Sequence, residues 1–250
     1  MLAVREVTGK YKGTLMGMTW ALVEPLLLLG IYTFVFSVIF KGNWNAVAQK
    51  GITAAAPILF MGLITFDLFA RVVVQAPTLV LQHRNFVKKV VFPLEVLPIV
   101  GLSSSLVTAI FSLVVLLTGL LLVYHSVPVT LALLPMVWLP VLFLSLGIAY
   151  FLASIGVFVR DLNNVTGIVV LILRFLTPLF YPATMVPLSM QPWFKANPLA
   201  IFVNCSRRVA LWGMLPDWPL YLGGTLFAVI VLLAGFTWFM ASKHAFADVI

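Results

Sequence analysis

What most restricts this chain is the recurrence of apolar runs about as long as a hydrocarbon layer is thick. A helix crossing that layer needs about 20 mostly apolar residues at about 1.5 Å each. Six stretches qualify, at approximately 19 to 40, 57 to 80, 97 to 124, 131 to 158, 165 to 182 and 219 to 241, the fifth being short. The expected fold is an all-α integral membrane protein with six transmembrane helices in a single domain, 1–250. Composition agrees: 63% of the residues are hydrophobic and 9% charged, whereas a soluble domain is about a quarter charged. The run near Trp20 is too long for a signal-peptide core and lacks a small-residue cleavage site, so the N-terminus is expected to be retained.

The formal charge of +8 reads as Lys/Arg enrichment of cytoplasmic loops rather than as a nucleic-acid surface. With the N-terminus inside, Arg5, Lys10, Lys12, Arg84, Lys88, Lys89, Arg160 and Lys243 fall on the cytoplasmic side, against Lys41, Lys50, Lys195, Arg207 and Arg208 outside, eight to five. Both termini are therefore expected in the cytoplasm. Residues 1–18 mix basic and apolar positions ahead of the first run and read as an interfacial amphipathic helix, with a frayed tail as the alternative. Residues 183–218 hold several prolines and aromatics, too apolar for a plain loop and too interrupted for a span. Two readings stand: short re-entrant helices buried by protein, or an amphipathic periplasmic cap.

Several chemistries lack their residues. No G-x-x-x-x-G-K-[ST] segment is present, so the chain has no ATP motor of its own. Nor is there a G-x-S-x-G elbow, an H-E-x-x-H pair or a cluster of acids, the seven carboxylates being scattered. No metal or other cofactor is expected on this chain, and no enzymatic activity. The single Cys205 excludes an internal disulfide and reads as a small packing residue.

Ionisable groups inside spans are costly and are functional candidates by default. Asp67 and Arg71 lie four apart, the spacing of an ion pair along one helix face. Arg174 has no acid at helical spacing, and three roles stay open: a partner in Glu24, snorkelling, or contact with an anionic substrate. Glu24, Leu28, Tyr32, Phe36 and Phe40 recur every four residues along one face of the first run, suited to lining a glycan passage or to ordinary packing. Ser145, Ala149 and Ala153 form a small-residue ridge that permits close helix approach.

The stretch "LQHRNFVKKVVFPLEVLP", residues 81 to 98, puts ionisable side chains between two apolar runs. By charge it is a cytoplasmic loop, and the two prolines and acid of "FPLEVLP" are suited to fixing a turn into the third helix.

These residues together resemble a family. "GKYKGTLMGMTWALVEPLLLLGIYTFVFSVIF", "NFVKKVVFPLEVLP", "VFVRDLNNV" and "LTPLFYP" followed by "NPLAIFVNCSRR" are similar, in this order, to segments of the ABC-2-type permeases of polysaccharide exporters, closest to the O-antigen branch. The resemblance implies a half-transporter of the bacterial inner membrane, in which two copies form the channel and a dimer of a separate ABC ATPase subunit, carrying the ATP and magnesium, drives it. It implies a cargo of undecaprenyl-pyrophosphate-linked polysaccharide, with teichoic acid or capsular polymer as alternatives. It also implies a coupling segment at 81–96 that seats on the ATPase, with Arg84, Phe86, Val87, Lys88 and Lys89 in contact. Glu24, Tyr32, Phe36, Phe40 and Arg174 are the candidates for lining the path. Two positions depart from the family's pattern, Glu24 where glutamine often precedes the proline and Asp67 where a neutral residue is common. The rival readings are an ABC-2 permease for a drug or small lipid, and an ATP-independent scramblase or channel.

Overall fold

The computed structural model describes residues 16–39, 54–83, 93–182 and 185–246. Among these there are helices and no strand. Helix α1 (Trp20–Tyr32) follows a 3-10 turn and runs on as a π-helical stretch, Thr33–Ile39. Then come α2 (Ala55–Gln82), α3 (Val96–Tyr124) and α4 (Leu134–Phe158), the last entered through a 3-10 turn at Val129–Leu133. After α5 (Leu162–Leu176) come two short helices, α6 (Gln191–Ala196) and α7 (Pro198–Leu211), then α8 (Trp218–Ser242) and a 3-10 turn, Lys243–Ala245. Four helical segments among the described residues, those of α2, α3, α4 and α8, are long and apolar enough to cross a membrane, and α1 and α5 are shorter apolar helices.

The helix boundaries follow the apolar runs closely except at α5. The expected stretch ran to residue 182, but α5 stops at Leu176. The cause is local: Thr177 precedes Pro178, and the proline ring disfavours helical geometry at the residue before it. Thr177 accordingly takes φ −89°, ψ 128°. The proline of "NPLA" acts in the opposite sense, at the start of α7. Pro198 occupies the first helical position, where its missing N–H is no loss, and Asn197 caps the helix by accepting from the Leu199 N–H at 3.0 Å.

At the centre stands α2, which packs against α1, α3, α4, α5 and α7. It is the least apolar of the four long helices and the most buried. A helix facing lipid must be apolar all round, whereas one enclosed by protein can carry Asp67 and Arg71. The ridge of Ser145, Ala149 and Ala153 is buried; Ala149 clusters with Val72 and Ala76 of α2, and Ala153 with Val80. Glycines bring the backbones closer still. A Cβ on Gly235 of α8 would lie 2.0 Å from the Gly147 carbonyl oxygen of α4, and one on Gly156 of α4 would lie 2.1 Å from that of Pro77 in α2. These contacts fix α2, α4 and α8 as a tightly packed unit.

The segment between α5 and α8 is drawn into the bundle. Helix α7 packs on α2, α4 and α8, burying Leu199, Phe202, Val203, Val209 and Leu211 together with Cys205. Cys205 is a free thiol within the main core, as its reading as a packing residue expected. Arg207 departs from the sequence reading. It was counted as an outside charge, yet it is 4% exposed. Its guanidinium donates to the carbonyls of Ile58 (3.0 Å), Pro178 (2.9 Å) and Leu179 (3.0 Å). A buried cation held by carbonyl dipoles ties α7 to the start of α2 and the turn after α5, and its position reports packing rather than loop charge.

The turn into α3 is built as "FPLEVLP" suggested. Val96 and Leu97 N–H groups close on the Pro93 and Leu94 carbonyls at 3.0 and 3.1 Å. The Tyr150 hydroxyl of α4 donates to the Glu95 carbonyl at 2.9 Å, and Lys243, just past α8, lies 3.6 Å from the Glu95 carboxylate.

Candidate functional site

Between α1, α2 and α3 lies a narrow cleft whose accessible volume is about 30 Å³, water-sized rather than sugar-sized. The i, i+4 stripe of α1 supplies Glu24, Leu28 and Tyr32 to its wall, and α2 supplies Asp67 and Arg71. From α3 come Ser105, Thr108 and Ser112, spaced three and four apart and so on one face. Thr108 and Ser112 donate to carbonyls one turn back, at 3.2 and 3.0 Å, and their oxygens keep acceptor capacity. The cleft thus offers charge and hydroxyls inside an otherwise apolar bundle.

The charges do not pair as their spacing suggested. Asp67 and Arg71, expected to neutralise each other along α2, bond outward to different helices. The Arg71 Nη2 donates to Glu24 Oε1 of α1 at 3.1 Å, and the Arg174 Nη2 of α5 donates to Asp67 Oδ1 at 2.6 Å. Arg174 had Glu24 as its candidate partner, and the acid it meets is Asp67. Its guanidinium also lies over the Phe66 ring, 5.3 Å from the centroid, where the ring's quadrupole attracts a cation. Two ion pairs therefore fasten α1 and α5 to α2. Neither is sealed: the side chains are 41% (Glu24), 28% (Arg71), 26% (Asp67) and 33% (Arg174) exposed.

Tyr32 and Phe36 lie with ring centroids 6.4 Å apart, and Leu28, Tyr32 and Phe36 all pack on the main core. Leu28 and Tyr32 therefore both pack and line the cleft. Phe40 lies outside the described residues, and so do Arg84, Phe86, Val87, Lys88 and Lys89 and most of the expected interfacial helix. The sequence reading passed over Ser105, Thr108 and Ser112. Their signal was present as three hydroxyls at helical spacing in a run otherwise dominated by Leu, Ile and Val. No periodicity, by contrast, distinguishes Arg207 from Arg208, which donates to the Leu215 carbonyl at 2.8 Å.

Long apolar helices joined by interhelical ion pairs define a polytopic helical membrane protein. The family described as ABC-2 type transporter matches residues 1–211, most of the chain, and the chain belongs to that family, whose members are permease subunits of ABC transporters. Two relatives extend over nearly the whole length. One is the O-antigen export system permease protein RfbA of Myxococcus xanthus, 27% identical over 99% of this chain and 93% of its own. Another is the O-antigen export system permease protein RfbA of Klebsiella pneumoniae, 22% identical over 98% of this chain and 92% of its own.

Proposed function

We propose that this chain is the membrane permease of an exporter that carries a lipid-linked polysaccharide of the O-antigen type across the bacterial inner membrane. The observation that carries the reading is the end-to-end similarity to two relatives named as O-antigen export permeases, from organisms as different as Myxococcus xanthus and Klebsiella pneumoniae. The chemistry of the cleft wall is in keeping with it: carboxylates, an arginine, hydroxyls and the Tyr32 ring are groups that hydrogen-bond and stack on sugars, in a space that must widen to admit one.

In this reading α1, α2, α3, α4, α5 and α8 are the six spans, with both termini in the cytoplasm. The burial of Arg207 supports that orientation, because removing it from the loop tally leaves eight basic residues against four. Helix α7 is the re-entrant element, its backbone satisfied within the bundle. Two copies form the path, lined by α1 and α5, and an ABC ATPase dimer with its ATP and magnesium docks on the segment 81–96. There Arg84, Lys88 and Lys89 pair with acids while Phe86 and Val87 fill an apolar groove. Arg174 contacts the phosphate of the carrier lipid, since a guanidinium fork matches phosphate oxygens bidentately.

The test is genetic. Deleting the gene should strip the cell surface of long polysaccharide while lipid-linked polymer accumulates inside, and restoring the gene should reverse both. Normal surface polymer in the deletion strain contradicts the reading.

A further inference from the structure

Glu24, Asp67 and Arg71 on the cleft wall and Arg174 beside it form two pairs, but their arrangement contains a third. Asp67 bonds across to Arg174 at 2.6 Å, and Arg71 bonds across to Glu24 through one contact of 3.1 Å. Asp67 and Arg71 nonetheless stand one helical turn apart on α2, a spacing at which side chains meet without backbone movement. Arg71 carries five N–H donors in a planar fork, and the pairing with Glu24 engages one nitrogen. It can take Asp67 as well without releasing Glu24. If it does, every carboxylate stays paired and one group is freed, the guanidinium of Arg174. That group is not left without support, because the Phe66 ring lies against it at 5.3 Å.

Resting on the reading of Arg174 as the contact for a phosphate-bearing lipid, we propose that Asp67 is a transferable mask on that site. It covers Arg174 when no cargo is present and passes to Arg71 when the anionic headgroup arrives. Glu24, Asp67 and Arg71 then hold a net charge of −1 on α1 and α2, and Arg174 with its phosphate sits on α5. The ion pair that fastens α5 to α2 is broken by the cargo itself. Binding is thereby coupled to freeing α5, a helix whose contacts are mainly with α2. The exchange also accounts for an acid placed four residues before an arginine, yet paired in the structure with Arg174 instead.

The experiment is photolabelling of the purified chain in nanodiscs by a photoreactive polyisoprenyl pyrophosphate. Arg174→Gln should reduce labelling about tenfold, as loss of a charge-assisted fork does. Asp67→Asn, which removes the mask, should raise labelling several-fold. Arg71→Gln should lower it several-fold, because Asp67 then has nowhere else to go, and Glu24→Gln in that background should not restore it. Arg71→Lys, which keeps the charge but not the fork, should fall between Arg71→Gln and the unsubstituted chain. The Arg71 variants decide the question if Asp67→Asn does not fold. A fixed ion pair predicts that Arg71→Gln labels like the unsubstituted chain, and that result overturns the exchange. If Arg174→Gln abolishes labelling while the Asp67 and Arg71 variants change nothing, the phosphate reading stands and the exchange alone fails. If Arg174→Gln labels normally, both fail. An unlabelled polyisoprenyl pyrophosphate should compete, and inorganic pyrophosphate at the same concentration should not; equal competition assigns the site to a soluble anion and overturns the proposal.

Discussion

Two adjacent arginines show how far a residue's role depends on where the helix turns it. Arg207 is enclosed and satisfies three carbonyls from two other parts of the chain, while the Arg208 guanidinium donates to the Leu215 carbonyl, seven residues away. Replacing the first leaves buried acceptors without a donor. Hydrogen bonds to a charged group contribute about 1.5–3 kcal/mol each, so Arg207→Met should lower stability by about 3 kcal/mol or more. Arg208→Met loses one solvent-exposed bond, where water replaces the lost partner, and should cost about 1 kcal/mol or less. Thermal unfolding of both variants in detergent measures the difference, and equal losses would mean that the enclosed guanidinium is not what ties α7 down. Glu24 and Asp67 are the two carboxylates that the structure pairs with Arg71 and Arg174, so the arginines of α2 and α5 each meet an acid on another helix.

At the scale of elements, close approach is set by missing side chains. Gly235→Ala would put a methyl 2.0 Å from the Gly147 carbonyl, forcing α4 and α8 apart at a cost of about 1–3 kcal/mol. Gly30→Ala in α1 meets nothing within 4 Å and should instead stabilise by up to about 1 kcal/mol through helix propensity. Opposite shifts in melting temperature for these two variants are the expected outcome. What the sequence made legible is the part governed by local rules. Apolar run length located the long helices, and the small-residue ridge on α4 marked a close face. The charged loop ended in a proline-fixed turn at Glu95. What it hid depends on tertiary partners. The i, i+4 spacing of Asp67 and Arg71 is a true statement about α2, yet the neighbouring helices supplied better-placed partners. The burial of Arg207 follows from α7 folding inward, which no period in "NPLAIFVNCSRR" encodes. The early end of α5 is legible in "TP" by the pre-proline rule, whereas apolar length alone runs past it.

For the molecule as a whole, export requires movement at the membrane and, in the proposed function, force from outside it. Cysteines at Tyr32, Phe36 and Phe40 should react with a water-soluble thiol reagent when the exporter turns over, and uniform protection of all three would return these positions to packing alone. Charge reversal at Lys88 and Lys89 should weaken assembly with the ATPase in a salt-dependent way, while Phe86→Ala should uncouple ATP turnover from export with the membrane fold intact. Crosslinking from position 86 to the ATPase checks that contact, and crosslinks found only from the N-terminal segment would defeat it. The central claim is that this chain moves a lipid-linked polysaccharide only when a separate subunit hydrolyses ATP. Its most direct test is reconstitution of the chain and its ATPase in proteoliposomes, with the polymer scored by its accessibility to a glycan-cleaving enzyme confined to one side. The polymer should change sides with ATP and stay in place when ATP is withheld or the ATPase subunit is omitted; movement at the same rate without ATP would contradict that claim.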